Sequence, residues 1–248
     1  RLRPEFLWHG YTRGDATWRH FQPHVHYSRL YFFSSGTAWV RLAADPRPVP
    51  IPTRGEPGAG WTRLVPGQVY LLPLRRSWQL YGDGPFEKFF LHFRLELWPG
   101  RDLFDPLSVP LPMGLPFPRM KELVDLASGG PLELLRFQAA VSELLVRFLE
   151  EGEFGGRAPL NELRYAEKYH AIFDTAEHTP FREWSFAALA ARLGRSLPSL
   201  SRSFHRDTGM TLSDFFRLRL VRRACDQLLL TDTSVRELAR ELGFEDEH

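Results

Sequence analysis

The apolar pattern of this chain changes period near its middle, and no single layer of secondary structure accommodates both halves. Before Pro99 the apolar segments are strand-length and end at turn residues; after Pro118 apolar residues recur at helical spacing. Residues 25–33, 37–42, 68–72, 77–81 and 87–95 read as strands, being rich in aromatic and β-branched residues. Gly36, Pro66-Gly67 and Gly82-Asp83-Gly84 separate them as turns. Residues 45–60 hold five prolines and three glycines and read as a loop. Short strands between turn signals predict an all-β barrel or sandwich. The proline-rich stretch 99–118 is then a connection and a domain boundary.

Downstream, Leu132, Leu135, Ala139, Ser142, Leu145, Val146 and Leu149 follow helical spacing, with Leu134, Phe137, Val141, Leu144 and Phe148 on neighbouring faces. A helix apolar on more than one side has one face for its own domain and another for a second copy. Residues 160–178 read as a further helix, stopped by Thr179-Pro180. With 43% hydrophobic and 25% charged residues the composition is that of a globular protein, which excludes a disordered tail or a rod. No apolar run approaches the ~20 residues of a membrane helix, and no basic-then-apolar leader is visible. The one cysteine, Cys225, excludes an intrachain disulfide and fits a reducing, cytoplasmic address. It sits in a helical stretch and reads as core rather than nucleophile. No Ser-His-Asp or Cys-His set stands out, so no catalytic residue is assigned.

The last third carries specific punctuation. Ser185 caps a short helix that ends at Gly194, and Ser196 caps the next, with Pro198 in its first turn and Thr208-Gly209 at its end. A helix, a tight turn with glycine and a capped second helix make a helix-turn-helix. A long helix follows over 212–230. Ser234 then caps another short helix ending at Gly243, so that Leu-Gly recurs 49 residues after Gly194. Between Ser185 and Arg223 stand eight arginines against two acids, in a chain of net charge +2. Such a basic block suits an anionic partner.

Read as one stretch, residues 181–248 resemble the DNA-binding domain of the AraC/XylS family of bacterial transcription regulators. The resemblance rests on Ser196, Leu200, Ser201, Arg202 and Phe204, on Thr208-Gly209-Met210, on Ala224 with Leu228-Leu229, and on Leu238-Ala239 with Leu242-Gly243-Phe244. Two positions depart from the family pattern. Leu220, beside Arg219, stands where the family has an arginine, and the chain ends at His248, where a second recognition helix is expected to begin. The resemblance implies double-stranded promoter or operator DNA as partner. A recognition helix offers its N-terminal residues to base edges. Spacing puts Pro198, Ser199, Ser201 and Arg202 on the outer side and Leu200 and Phe204 inside. Arg202 is the expected base reader, while Arg195 and Arg206 are expected on phosphate.

The same resemblance implies a small N-terminal cupin-like barrel, similar here in His24-x-His26 before a strand, Gly36 after it, and the Pro66-Gly67 turn. Leu30 or Tyr31, and Ser77 or Trp78, stand where metal cupins have further ligands, so no metal and no cofactor is expected. Family regulators of this shape bind a small effector, often a sugar, in the barrel. The expected ligand-binding residues are His24, His26, Trp78, Tyr81 and His92, with Trp18, Arg29, Tyr31 and Trp39 as further aromatic walls and polar tips. Alternation along the strand sets His24, His26, Ser28 and Leu30 against Arg29 and Tyr31, and the histidine face is taken as the inner one. Tyr81 matches a sugar-contacting position of the arabinose-responsive members, and His92 lies near another.

The expected architecture is an α+β multi-domain chain. It has a cupin-like β-barrel over 1–115, a helical dimerisation and linker region over 116–178, and a double helix-turn-helix domain over 179–248. The expected protein is a cytoplasmic, ligand-responsive, homodimeric regulator, not an enzyme and not membrane-bound. A metal-dependent cupin enzyme and an interaction module without DNA are the alternatives.

Overall fold

The computed structural model describes residues 4–23, 25–43, 48–51, 57–98, 100–105, 107, 109–152, 163–231 and 233–244. The chain divides into two compact units, one of Arg1–Leu95 with Asp102–Pro159, the other of Glu96–Arg101 with Leu160–His248. Among the described residues no helix is long and apolar enough to cross a membrane.

The first unit is built on antiparallel strands: β1 (Glu5–Gly14), β2 (Arg19–Gln22), β3 (Ser28–Ser35), β4 (Ala38–Ala43), β5 (Thr62–Leu64), β6 (Gln68–Leu72), β7 (Ser77–Gly82), β8 (Phe86–Arg94) and β11 (Leu111–Gly114). The short strands β9 (Glu96–Trp98) and β10 (Arg101–Asp102) lie between β8 and β11 in sequence. The sheet orders are β1-β8-β3-β6-β11 and β2-β7-β4-β5. The expected barrel is therefore not closed: its strands pair in two open sheets. Tyr31, Phe33, Val40, Tyr70, Leu72, Trp78, Leu80, Phe86 and Phe90, drawn from both sheets, make one buried cluster. Period-2 alternation sends the other residues of β3 and β8 to the opposite face. There Phe89 meets Phe137, at 6.1 Å between ring centroids. Phe137 belongs to α2 (Pro131–Glu151), which follows α1 (Phe117–Ala127).

The inward face of β3 is not the histidine face. Tyr31 and Phe33 belong to the cluster, whereas Leu30 and Phe32 are buried on the other side. Both faces of β3 are covered, so apolar content alone does not tell inside from outside. His26 precedes the strand and is exposed; His24 lies outside the described residues.

The second unit is helical. The expected helix over 160–178 is two: α3 (Leu163–Lys168) and α4 (His170–His178), separated at Tyr169. Then come α5 (Phe186–Arg192), α6 (Leu197–Thr208), α7 (Leu212–Leu230) and α8 (Val235–Leu242). Phe173, Phe204 and Phe215 form its aromatic centre, at 5.2 to 6.3 Å between centroids. Cys225, expected in the core, is on the exposed side of α7.

Candidate nucleic-acid interface and sheet-unit pocket

Local hydrogen bonding dictates the α5–α6 geometry. Ser185 Oγ accepts from the Ala188 amide and starts α5; Ser196 Oγ accepts from the Ser199 amide and starts α6. Between them Gly194 takes φ +63°, and the Arg195 amide donates to the Ala190 carbonyl at 3.0 Å. α8 repeats the pattern, with Ser234 and Glu237 forming a reciprocal capping box and Gly243 at φ +92°.

Leu200, Ser203 and Phe204 are the buried side of α6. Pro198 and Arg202 are exposed, and Ser199 and Ser201 are half-buried. Arg202 makes no hydrogen bond or ion pair among the described residues. The two flanking arginines are engaged inside the unit. Arg195 Nη1 donates to Ser203 Oγ at 3.0 Å, and Arg206 Nε pairs with Asp207 at 3.0 Å. Other arginines of the basic block are paired too: Arg217 with Asp214, Arg219 with Glu177 and Arg222 with Glu96. Arg219 and Arg222 thus tie α7 to other elements of the unit, Arg206 and Arg217 pair with neighbours on their own helices, and Arg202 is exposed on the outer side of α6.

The sheet unit contains a cavity of about 140 Å³ lined by Trp8, Trp18, His20, Gln22, Tyr31, Leu80, Lys88, Phe90 and His92. Of the four expected ligand residues that are described, His26, Trp78, Tyr81 and His92, His92 alone lines it. Trp78 is wholly buried and its indole N–H donates to the Pro73 carbonyl, which makes it core. Tyr81 alternates away from the inward-facing Trp78 and Leu80 and packs beside Arg19 and Trp61. Lys88 was missed, although a sequence signal exists. It is one of three lysines in an arginine-using chain and alternates in step with Phe86 and Phe90. Among the described residues no three His, Cys, Asp or Glu side chains gather as a metal site.

The pocket is cationic. Lys88 Nζ lies 3.8 Å from the centre of the Tyr31 ring and 4.3 Å from that of Trp18. Burial pushes the Lys88 ammonium below its ordinary value, and Arg29 pushes the same way against the opposing effect of Tyr31. Burial alone would raise the Tyr31 phenol; Lys88 and Arg29 outweigh that and lower it. His92 is driven down to about 3, by burial first and then by Arg29 and Lys88. Removing an ion from water without a partner costs several kcal/mol even after relaxation. His92 yields a prediction. The unfolded imidazole takes a proton near pH 6.5 and the folded one only near 3, so sheet-unit stability falls as pH drops through that window. Urea titrations at stepped pH should show this slope flattened in His92→Gln; an equal slope in both would assign it elsewhere.

Residues 189–248 match a family model described as a helix-turn-helix domain. None of the curated proteins matches the chain. Among solved structures, ToxT from Vibrio cholerae strain SCE256 in its unsaturated fatty acid bound form is similar at 11% identity and a TM-score of 0.52, covering 100% of this chain and 89% of its own. ToxT from Vibrio cholerae O395 bound to (E)-4-(8-methylnaphthalen-1-yl)but-3-enoic acid is similar at 10% identity and a TM-score of 0.51, covering 97% of this chain and 90% of its own. At such identities the likeness is one of fold: a sheet-rich N-terminal region followed by helices and a helix-turn-helix domain. Residues 189–248 are thus matched as a helix-turn-helix domain, and the chain as a whole shares its fold with ToxT.

Proposed function

We propose that the chain is a ligand-responsive regulator that reads promoter or operator DNA through its helix-turn-helix units. The sheet unit senses a small-molecule effector, and the regulator works in the cytoplasm as a homodimer. One observation carries the reading: α6 is capped at Ser196, buried along Leu200 and Phe204, and presents an exposed Arg202. Bidentate arginine–guanine pairing is the commonest specific contact to a base edge. The sensor role is supported by the cavity of the sheet unit and by the acids held in the two ToxT structures. The homodimer is supported by α2, where Leu132, Leu135 and Val146 are exposed on the side away from buried Phe137, Val141 and Phe148. An effector changes DNA affinity only by binding two conformations unequally.

The test is selection of bound sequences from random duplexes, followed by anisotropy titrations of wild type and Arg202→Ala. The wild type should lose affinity steeply with salt, as phosphate contact requires. Arg202→Ala should cost about 1–3 kcal/mol and relax preference at one base pair. Unchanged affinity and preference would remove α6 as the reading helix.

A further inference from the structure

Two cations are buried in the sheet unit; among the described residues no Asp or Glu side chain stands beside them, and their acidic neighbour is the Tyr31 phenol. Arg29 is 1% exposed; its Nη1 donates to Gln22 Oε1 at 2.5 Å and to the Tyr31 hydroxyl at 3.1 Å. Its Nε and Nη2 are buried without a partner. Lys88 is 5% exposed and opens onto the cavity among aromatic faces. Among the described residues no Asp or Glu side chain lines that cavity. Buried charge of one sign without a counter-ion is the state of a site awaiting its anion.

We propose that this cavity is a carboxylate site: Lys88 contacts the carboxylate of a small organic acid, and Arg29 supports it from behind Gln22 and Tyr31. Strand register puts both cations on the inward face. On β3 and β8 the paired residues are Arg29 with His92, Tyr31 with Phe90 and Phe33 with Lys88. The walls choose the rest of the ligand. Trp8, Trp18 and Phe90 suit an apolar, flat or short body. A cavity of about 140 Å³ is smaller than the several hundred Å³ of drug-sized sites, so it takes the carboxylate end of the acid and a small apolar group beside it. A sugar fits less well. Its hydroxyls bring no negative charge to the two buried cations. The inference deepens the sensor reading and rests on it for any effect at DNA.

The experiment is calorimetric titration and thermal unfolding of the full chain with benzoate, phenylacetate and hexanoate, each beside its primary amide, and with arabinose. At least one acid should bind and raise the unfolding midpoint by a few degrees near 100 times its Kd. Its amide should bind at least about ten-fold more weakly. Lys88→Met should weaken acid binding by about 10- to 100-fold without lowering the midpoint of the free protein. Gln22→Glu, which sets a carboxylate on Arg29, should also weaken it. Binding of an amide or of arabinose as tight as that of the acid would overturn the proposal, as would undiminished binding by Lys88→Met or no binding of any acid. DNA titrations run in parallel separate the two readings. Intact DNA binding with no acid preference overturns only the carboxylate site; acid binding without DNA binding overturns only the regulator.

Discussion

Gly36→Ala is expected to destabilise the sheet unit by about 4 kcal/mol, in the range reserved for backbone and core defects. Gly36 follows β3, in the five-stranded sheet, and precedes β4, in the four-stranded one, so the turn it makes carries the chain from one sheet to the other. Its φ is +69°, which an L-residue adopts at a cost of about 1–2 kcal/mol. The larger part is steric. A Cβ there would overlap the Pro85 carbonyl oxygen and come within 2.7 Å of Phe86 Cα. Both are backbone atoms at the start of β8 and cannot rotate away, so the turn or the strand must move, typically at about 1–3 kcal/mol. Gly67→Ala is the control. Its φ is +83° with nothing within 4 Å, so only the conformational cost of about 1 kcal/mol applies. Urea unfolding followed by tryptophan fluorescence reads mainly the sheet unit, which holds five of the seven tryptophans, Trp8, Trp18, Trp39, Trp61 and Trp78. Equal midpoint shifts in the two variants would place the whole effect in φ and none in the contact.

Elements were legible where the local pattern is redundant. The C-terminal helices follow from caps, αL glycines and apolar spacing that agree with one another, and Ser196, Gly209, Ser234 and Gly243 sit at the expected boundaries. β1, β2 and α1 were not legible. β1 alternates exposed and half-buried residues such as Trp8, His9 and Tyr11 and lacks a continuous apolar face. The orientation of β3 was hidden for the opposite reason: on one side Phe32 packs on Phe89, which meets Phe137 of α2, and on the other lies the facing sheet, so neither side is polar. That ambiguity misdirected the pocket. The inward polar groups are Arg29, Lys88 and His92, and reading β3 and β8 together would have aligned them, because Lys88 and His92 share the phase of Phe86 and Phe90. Tyr81, expected from its match to a sugar-contacting position, alternates to the side of β7 opposite Trp78 and Leu80.

Removing the Asp207 carboxylate should destabilise the helical unit by about 3 kcal/mol, as the loss of a charged acceptor with several donors does. Asp207 lies in the last turn of α6 and is 8% exposed. It accepts from Lys168 Nζ at 2.5 Å, the Tyr169 hydroxyl at 2.8 Å and Arg206 Nε at 3.0 Å. Lys168 and Tyr169 sit at the α3–α4 break, so this one carboxylate fastens that break to α6. Tyr169 is buried and its ring meets Phe204 at 5.0 Å, so Asp207→Ala strands its hydroxyl away from water. Burial alone would raise the Asp207 carboxyl; the hydrogen bonds from Lys168, Tyr169 and Arg206 outweigh it and hold the carboxyl at about 2, against 3.8 in an ordinary environment. A depressed carboxyl contributes stability above its unfolded value and loses it as pH falls toward the folded one. The contribution is therefore full above about pH 4, fades between 4 and 2, and amounts to about 2–3 kcal/mol. Asp207→Asn keeps the shape and removes the charge, so it should erase this acid limb while costing less than alanine at pH 7. Hydrogen exchange of α4 and α6 amides between pH 2 and 7 isolates the unit. Tyr169→Phe combined with Asp207→Ala should cost less than the sum of the two single changes, because both remove one shared bond. Strict additivity, or an acid limb that survives in Asp207→Asn, would show that the carboxylate does not fasten α6 to Tyr169.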